Sequence, residues 1–125
     1  MNLVELRVTT TGGDGVATGT ATTPLPISGK VWAVVLNYHG DAPASTDVNL
    51  YMATAPSDLI VDYDNHNTDI TLYPRKPQVE ADGTGLTYNG AYMVPAYFVV
   101  HGKLTLAIAG CDALTDAVIA YILYE

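Results

Sequence analysis

Apolar and polar residues alternate with a period of two along much of the chain. The alternation is clearest in three segments, Leu3–Thr10, Thr46–Thr54 and Lys103–Ala109. In the last of them, Leu104, Leu106 and Ile108 fall on one face and the residues between them on the other. Because successive side chains of a β-strand point to opposite faces of its sheet, this pattern predicts half-buried strands.

Two other segments carry apolar residues on both faces. Val31–Tyr38 is one, and it predicts a central strand covered by a second sheet on one side and by a neighbouring subunit on the other. Ala113–Leu123 also fits a buried helix. Its β-branched residues, Val118, Ile119 and Ile122, favour a strand instead.

Turn sequences separate these segments at short intervals. The glycine-rich Thr11–Gly15 predicts a hairpin between Leu3–Thr10 and Val16–Thr22. Val16–Thr22 alternates Thr with Ala or Gly, which is typical of an exposed edge strand or of close approach by another backbone. Asn65–Asn89 is predicted as long loops around one short strand, Ile70–Tyr73. About nine strands result, at the spacing of a β-sandwich or barrel.

The composition is that of one folded, acidic domain. The chain has 125 residues, of which 49% are apolar and 14% charged, and its formal net charge is -8. Intrinsic disorder is therefore not expected, and nucleic acid is not an expected partner because phosphate binding needs an excess of bases. We find no signal peptide and no segment long enough to span a membrane. The single cysteine, Cys111, excludes an intrachain disulfide.

Candidate chemistry is sparse. The acids of Asp62–Asp69 suggest a calcium loop, but the sixth and twelfth positions hold Asn67 and Tyr73, not Gly and an acid. The alternative is a polar turn whose Asp and Asn side chains bond nearby backbone. His39 and His101 precede glycines and would meet only if their turns share one end of the sandwich. No nucleophile motif is present, so we expect no enzyme, no metal and no cofactor.

Tyrosine is the more informative residue type. There are nine, in a chain with few charges, which is typical of protein–protein interfaces and also suits stacking on sugars. Arg75 and Lys76 are two of only five bases. They are expected either to meet an acid of a partner or adjacent subunit, or to form a solvated pair of little energetic value.

Several short motifs resemble those of the capsid decoration, or cement, proteins of tailed phages. They are Ser28-Gly29-Lys30-Val31-Trp32-Ala33-Val34 with Asn37-Tyr38, Ser45-Thr46-Asp47-Val48, Asn65-His66-Asn67-Thr68-Asp69, Tyr73-Pro74-Arg75, Leu86-Thr87-Tyr88-Asn89-Gly90, Val94-Pro95-Ala96-Tyr97 and Tyr121-Ile122-Leu123-Tyr124-Glu125. The resemblance covers nearly the whole chain. It implies a single jelly-roll-like antiparallel β-sandwich of eight to nine strands over residues 1–125.

The resemblance also implies a function and partners. The expected role is a non-enzymatic virion protein that binds the major capsid protein on the outside of the head, after a stage in the host cytoplasm during assembly. A homotrimer is expected, since Val31–Tyr38 and Ala117–Tyr124 carry more apolar surface than one small core absorbs. The candidate subunit or capsid contacts are Asn67, Asp69, Tyr73, Arg75 and Lys76. A tail or head–tail connector component and a carbohydrate-binding module are the alternatives.

Overall fold

Strands make up most of the chain in the computed structural model, which describes residues 1–88, 92–93 and 95–125. Thirteen strands lie in this described part. They are β1 (Asn2–Val8), β2 (Ala17–Thr22), β3 (Ile27–Tyr38), β4 (Asp47–Met52), β5 (Leu59–Tyr63), β6 (Ile70–Leu72), β7 (Arg75–Pro77), β8 (Thr87–Tyr88), β9 (Tyr92–Met93), β10 (Pro95–Tyr97), β11 (Val99–Gly102), β12 (Leu104–Cys111) and β13 (Val118–Tyr124). The Asn89-Gly90 turn and Val94 of the sequence motifs lie outside the described residues.

Nine strands form two facing antiparallel sheets, eight of them in jelly-roll order. The first sheet has the order β1-β13-β3-β6, and β11 extends it beside the first half of β3. The second sheet has the order β2-β12-β4-β5. The nested pairs β1–β13, β2–β12, β3–β6 and β4–β5 alternate between the sheets, as when one long hairpin is rolled up. This is a jelly roll, and it confirms the all-β, jelly-roll-like sandwich.

The core lies between the two sheets. Leu104, Leu106 and Ile108 of β12 all point into it, as the alternation of that segment predicts. Val118 and Ile122 of β13 are fully buried in a strand, so the strand interpretation of this segment is confirmed and the helix alternative is wrong.

A β-bulge explains why Val31–Tyr38 looks apolar on both faces. Val31 and Val34 are both fully buried, although residues three apart in a regular strand point to opposite faces. The register of β3 with β13 shifts between Ala33 and Val31, and the extra residue, Trp32, reverses the alternation. The segment therefore looks apolar on both faces partly because the core-facing side of β3 changes at Trp32.

The predicted hairpin of Leu3–Thr10 with Val16–Thr22 is wrong. β1 pairs with β13 and β2 with β12, so the glycine-rich turn is a corner between the sheets that keeps a single bridge, Thr11 to Thr18. β2 is an edge strand that also accepts a close backbone approach, because a Cβ on Gly19 would collide with the carbonyl oxygen of Thr9. Both properties expected of this segment are present.

The described residues of the segment 73–98 form an excursion from the sandwich, which we call the arm. It leaves after β6 and returns before β11, and β7 and β10 pair at its base. Beyond them, Val79 and Gly85 form a bridge around the turn at Asp82 and Gly83. The predicted loops of Asn65–Asn89 thus contain more strand than expected, because these pairings join residues of low apolar content that leave no periodic signal.

Candidate functional site

The solvent-facing side of the first sheet is apolar. We call it the outer face and define it by Leu3 of β1, Ala33 and Val35 of β3, and Ile119, Tyr121 and Leu123 of β13. Strand register places these side chains in adjacent rows, since Leu3 and Ala33 flank Leu123, and Val35 lies opposite Tyr121. Leu3 is 58% exposed, and Val35, Ile119, Tyr121 and Leu123 are half-buried. Ala33 is only 7% exposed, so the part of this face beside Trp32 is already covered within the subunit.

Charge at the β1 edge of the outer face comes from one base, Arg7, and two acids, Glu5 and Asp116. The Arg7 side chain contacts the Glu5 carboxylate through Nε at 2.5 Å and Asp116 through Nη1 at 3.1 Å. Glu5 first, and then the hydrogen bond to Asp116, raises the pKa of the Arg7 guanidinium. These three groups give the edge a formal charge of -1, in a chain of net charge -8.

The solvent-facing side of the second sheet has the opposite character, and we call it the polar face. It carries small and polar side chains, namely Thr18, Thr20, Thr22, Asp47, Asn49, Asp62, Thr105 and Ala107. The hydroxyls of Thr22 and Thr105 lie 2.9 Å apart across neighbouring strands. The two broad sides of the sandwich therefore differ in both polarity and charge.

Arg75 and Tyr97 hold the base of the arm to β3. The Arg75 guanidinium carbon lies 4.0 Å from the centre of the Tyr97 ring, and Nη1 donates hydrogen bonds to the carbonyls of Pro74 and Trp32 at 2.6 and 3.3 Å. Tyr97 also packs against the Trp32 ring, with centroids 5.1 Å apart. We call Trp32, Arg75 and Tyr97 the arm root.

The C-terminal residue completes this region. Trp32 Nε1 donates a hydrogen bond of 2.7 Å to the Glu125 carboxylate, and the Glu125 backbone pairs with Lys30. Gly29, whose φ is +142°, makes room for this pairing, because a Cβ there would collide with the Glu125 carbonyl group. The final residue is thereby fixed against β3 beside the arm root.

Lys76, the second base singled out in the sequence, also has a partner within the chain. Its Nζ lies 3.4 Å from Asp58 Oδ2 and 5.4 Å from the centre of the Phe98 ring. Both groups of the ion pair are about half exposed, so the pair adds little stability. Arg75 and Lys76 are thus occupied by contacts inside the subunit.

Asn67 and Asp69 fasten the β5–β6 loop to the connection that follows β3. Asn67 Nδ2 donates to the Ala42 carbonyl at 2.9 Å, and Asp69 Oδ1 accepts from the Tyr38 amide at 2.7 Å. Asn65 adopts a left-handed conformation, with φ of 58°. The sequence predicts hydrogen bonds within the loop. These two side chains instead form hydrogen bonds to residues more than twenty positions away, because the loop folds over the connection that follows β3.

Tyr73 borders an open groove of about 210 Å³ between the edges of the two sheets, and its side chain is 67% exposed. The other lining residues are Ile60, Val61, Asp62, Tyr63, Leu72 and Pro74. The His66 ring stacks on Tyr63 with centroids 4.0 Å apart. Of the five sequence-predicted contact residues, Tyr73 is therefore the one whose side chain is mostly available to a partner.

The acidic residues and histidines do not converge. Desolvation first, and then the carboxylates of Asp62 and Asp47, raises the pKa of Asp64. Within the described residues, no group of three or more His, Cys, Asp and Glu side chains is arranged to hold a metal ion. His39 follows the end of β3, whereas His101 pairs with Ser28 near its start. The two histidines stand roughly 35 Å apart along that strand, at ~3.3 Å per residue.

Sequence reasoning located part of the outer face but missed the arm root. The apolar character of Val31–Tyr38 and Ala117–Tyr124 marked two of its three strands. No sequence pattern predicts the contact of Arg75 with Tyr97 and Trp32, because these residues are far apart in sequence and their types are common on surfaces. The described residues also contain no helix long and apolar enough to cross a membrane.

Comparison with known proteins gives one likeness. No family model matches the chain, and no curated protein matches it. The chain is similar to a solved structure titled "Crystal Structure of FLHE", with 19% identity over 100% of this chain and 99% of that one and a TM-score of 0.41. At that identity and TM-score the likeness carries no argument about function.

Proposed function

We propose that this protein is a non-enzymatic virion component, a decoration protein that binds the outside of a phage head as a trimer. The observation that carries the proposal is the apolar outer face of an otherwise acidic jelly roll. A protein exposes such a face when another protein surface covers it in the functional assembly. The sequence motifs that resemble those of cement proteins are the reason for proposing a phage head as this assembly.

The mechanism is stabilisation by mass action. A subunit that binds the assembled shell, but not its free building blocks, lowers the free energy of the shell alone. Three linked copies multiply weak contacts, because binding of the first copy raises the effective concentration of the others. The net charge of -8 fits this location, since it opposes association with packaged or free DNA.

The test is to locate the protein in its virion. Heads and tails are separated from purified particles, and each fraction is analysed by mass spectrometry. We expect the protein in the head fraction, together with the major capsid protein, and expect its removal to lower the temperature at which heads rupture. Presence in tails alone, or at the head–tail junction in a few copies, would refute decoration and favour the tail or connector alternative.

A second candidate, a carbohydrate-binding module, is favoured by the groove. Tyr73 supplies an exposed aromatic face there and Asp62 a hydroxyl-binding carboxylate, which are groups that sugars need. The test is binding to an array of bacterial surface glycans. Specific binding that Tyr73→Ala abolishes and Tyr51→Ala leaves intact would support this function, and no binding to any glycan would remove it.

A further inference from the structure

We infer that copies of this chain meet through the outer face. The inference deepens the proposed function, because a trimeric decoration protein needs a contact between its subunits, but it is tested on the isolated protein. The proposed occupant is a second copy of the chain, seated on Leu3, Leu123 and Tyr121 and their neighbours.

Charge is the first reason for choosing a second copy. Two molecules of charge -8 repel one another wherever carboxylates face carboxylates. On the polar face, Asp47 and Asp62 would be brought together. At the outer face Arg7 lies between Glu5 and Asp116 and offsets one of the two acids, so an approach there brings fewer uncompensated carboxylates together.

Shape and area are the second reason. Three rows of side chains across three strands give a flat area of roughly 300 Å², from ~4.8 Å between strands and ~6.8 Å between rows. A stable interface buries about 800 Å² on each partner. The contact therefore has to extend past the sheet. Trp32 precedes Ala33 in β3, so the arm root directly adjoins the outer face and supplies further aromatic surface.

The chemistry of the face matches what subunit contacts use. Tyr121 lies between Glu5 and Val35 in its row, and Leu123 lies between Leu3 and Ala33 in the next. Aromatic and branched apolar side chains at the centre, with charge only at the rim, are the arrangement of protein interfaces. Leu3 is 58% exposed in the single subunit and gains most from being covered.

The experiment places charge on the face and measures assembly. Wild-type protein, Leu3→Glu and the double variant Leu3→Glu/Leu123→Glu are compared by sedimentation velocity over a wide concentration range. Leu25→Glu is the matched control, because Leu25 is 73% exposed and lies away from the outer face. Far-UV circular dichroism and melting curves verify that each variant folds, and Leu3→Glu alters an exposed side chain that folding does not need.

We expect the wild type to form a multiple of 13.3 kDa and the control to do the same. Leu3→Glu should weaken association at least ~10-fold, and the double variant should sediment as the monomer, because the contact would then bury carboxylates that have no partners. A wild type that stays at 13.3 kDa, a double variant that assembles normally, or a control equally impaired would each overturn the inference.

The same proteins separate this inference from the proposed function. A monomeric wild type that is nevertheless found on phage heads would refute the interface and leave decoration standing. A protein that assembles through the outer face but is absent from heads would support the interface and refute decoration.

Discussion

At the scale of single residues, backbone approaches that exclude a side chain decide the stability of the fold. Gly29 is the clearest case, because its φ of +142° and its contact with Glu125 both exclude a Cβ. Gly110 is similar, since a Cβ there would collide with the Ser45 carbonyl oxygen. Such positions fix where the chain's last residue and the β3–β4 connection lie.

Gly29→Ala should destabilise the protein by at least ~2 kcal/mol, since the new methyl forces the Glu125 backbone away from Lys30. Urea unfolding at equilibrium measures the change. Gly40→Ala is the control, because nothing lies within 4 Å of the position that its Cβ would take. We expect the control to lie within ~1 kcal/mol of the wild type, and equal effects of the two substitutions would contradict the steric explanation.

Tyr38 is a second position at which a single side-chain group, the hydroxyl, affects stability. Its hydroxyl is buried without a hydrogen-bond partner among the described residues. Burial first, and then Tyr63 and Asp69, raises the pKa of this phenol far above its usual range. The folded state therefore retains the proton when the unfolded chain loses it, and stability falls as the pH rises above ~10.

Tyr38→Phe should leave stability at pH 7 unchanged or raise it by up to ~1 kcal/mol, because it removes an unpaired buried hydroxyl. Above pH ~10 the variant should lose less stability than the wild type. Melting temperatures measured from neutral to strongly alkaline pH check both expectations, with Tyr73→Phe, an exposed tyrosine, as control. A variant that loses stability in parallel with the wild type would show that Tyr38 does not set the alkaline limit.

At the scale of elements, the arm behaves as an addition to a complete sandwich. Its base is held by the ladder between β7 and β10 and by the arm root, whereas the nine sandwich strands pair without it. Contacts of this size open more easily than a core. Arg75, for which the sequence suggests either a partner contact or a solvated pair, donates to the carbonyls of Pro74 and Trp32 in its own subunit.

Arg75→Ala should loosen the arm and spare the sandwich. We expect faster amide hydrogen exchange in β7 and β10 and a melting temperature within a few degrees of the wild type, since the core is untouched. Lys103→Ala removes an exposed base elsewhere and serves as the control. Unchanged exchange in β7 and β10 would contradict the role assigned to the arm root.

The β5–β6 loop is an element held by its neighbours. Because Asn67 and Asp69 bond the chain around Tyr38 and Ala42, the loop has a fixed position without a bound ion. A chelator should therefore leave the melting temperature unchanged, and Asn67→Ala should cost about 1 kcal/mol for the lost bond. A loss of several degrees on chelation, restored by calcium, would instead establish the metal site that the acids of Asp62–Asp69 suggest.

At the scale of the whole molecule, charge and apolar surface are segregated. The outer face is mainly apolar, with its charges at the β1 edge, and the polar face carries acids on the opposite side of a molecule of charge -8. Association through the outer face brings two molecules of the same net charge together through apolar contacts. Its strength then depends on how far their repulsion is screened.

Added salt should therefore strengthen self-association. Raising sodium chloride from about 20 to 500 mM shortens the Debye length from roughly 20 to roughly 4 Å and removes most of the repulsion. Sedimentation at several protein concentrations gives the association constant in each salt. Weaker association at high salt would indicate ion pairs between subunits, the contact that the sequence predicts for Arg75 and Lys76.

The alternation of apolar residues by itself determined the strand content, the inward side chains of β12 and the strand character of β13. The alternation predicts these features because residues two apart in a strand lie on the same face, so the burial of that face is visible within a short segment. The prediction of a β1–β2 hairpin failed for the complementary reason. Turn chemistry favours local pairing, but β1 gains more by pairing with β13, whose Ile122 lies opposite Val4 from the far end of the chain.

The pairing of distant strands determines which side chains share an exposed surface. Backbone hydrogen bonds are nearly independent of sequence, so the register that gathers Leu3, Val35 and Tyr121 on one face follows from the fit of the whole core. The arm root likewise exists only because β6 and β11 both border β3 and bring the ends of residues 73–98 together. Sequence patterns report what each strand buries, whereas contacts between distant strands determine what the molecule leaves exposed.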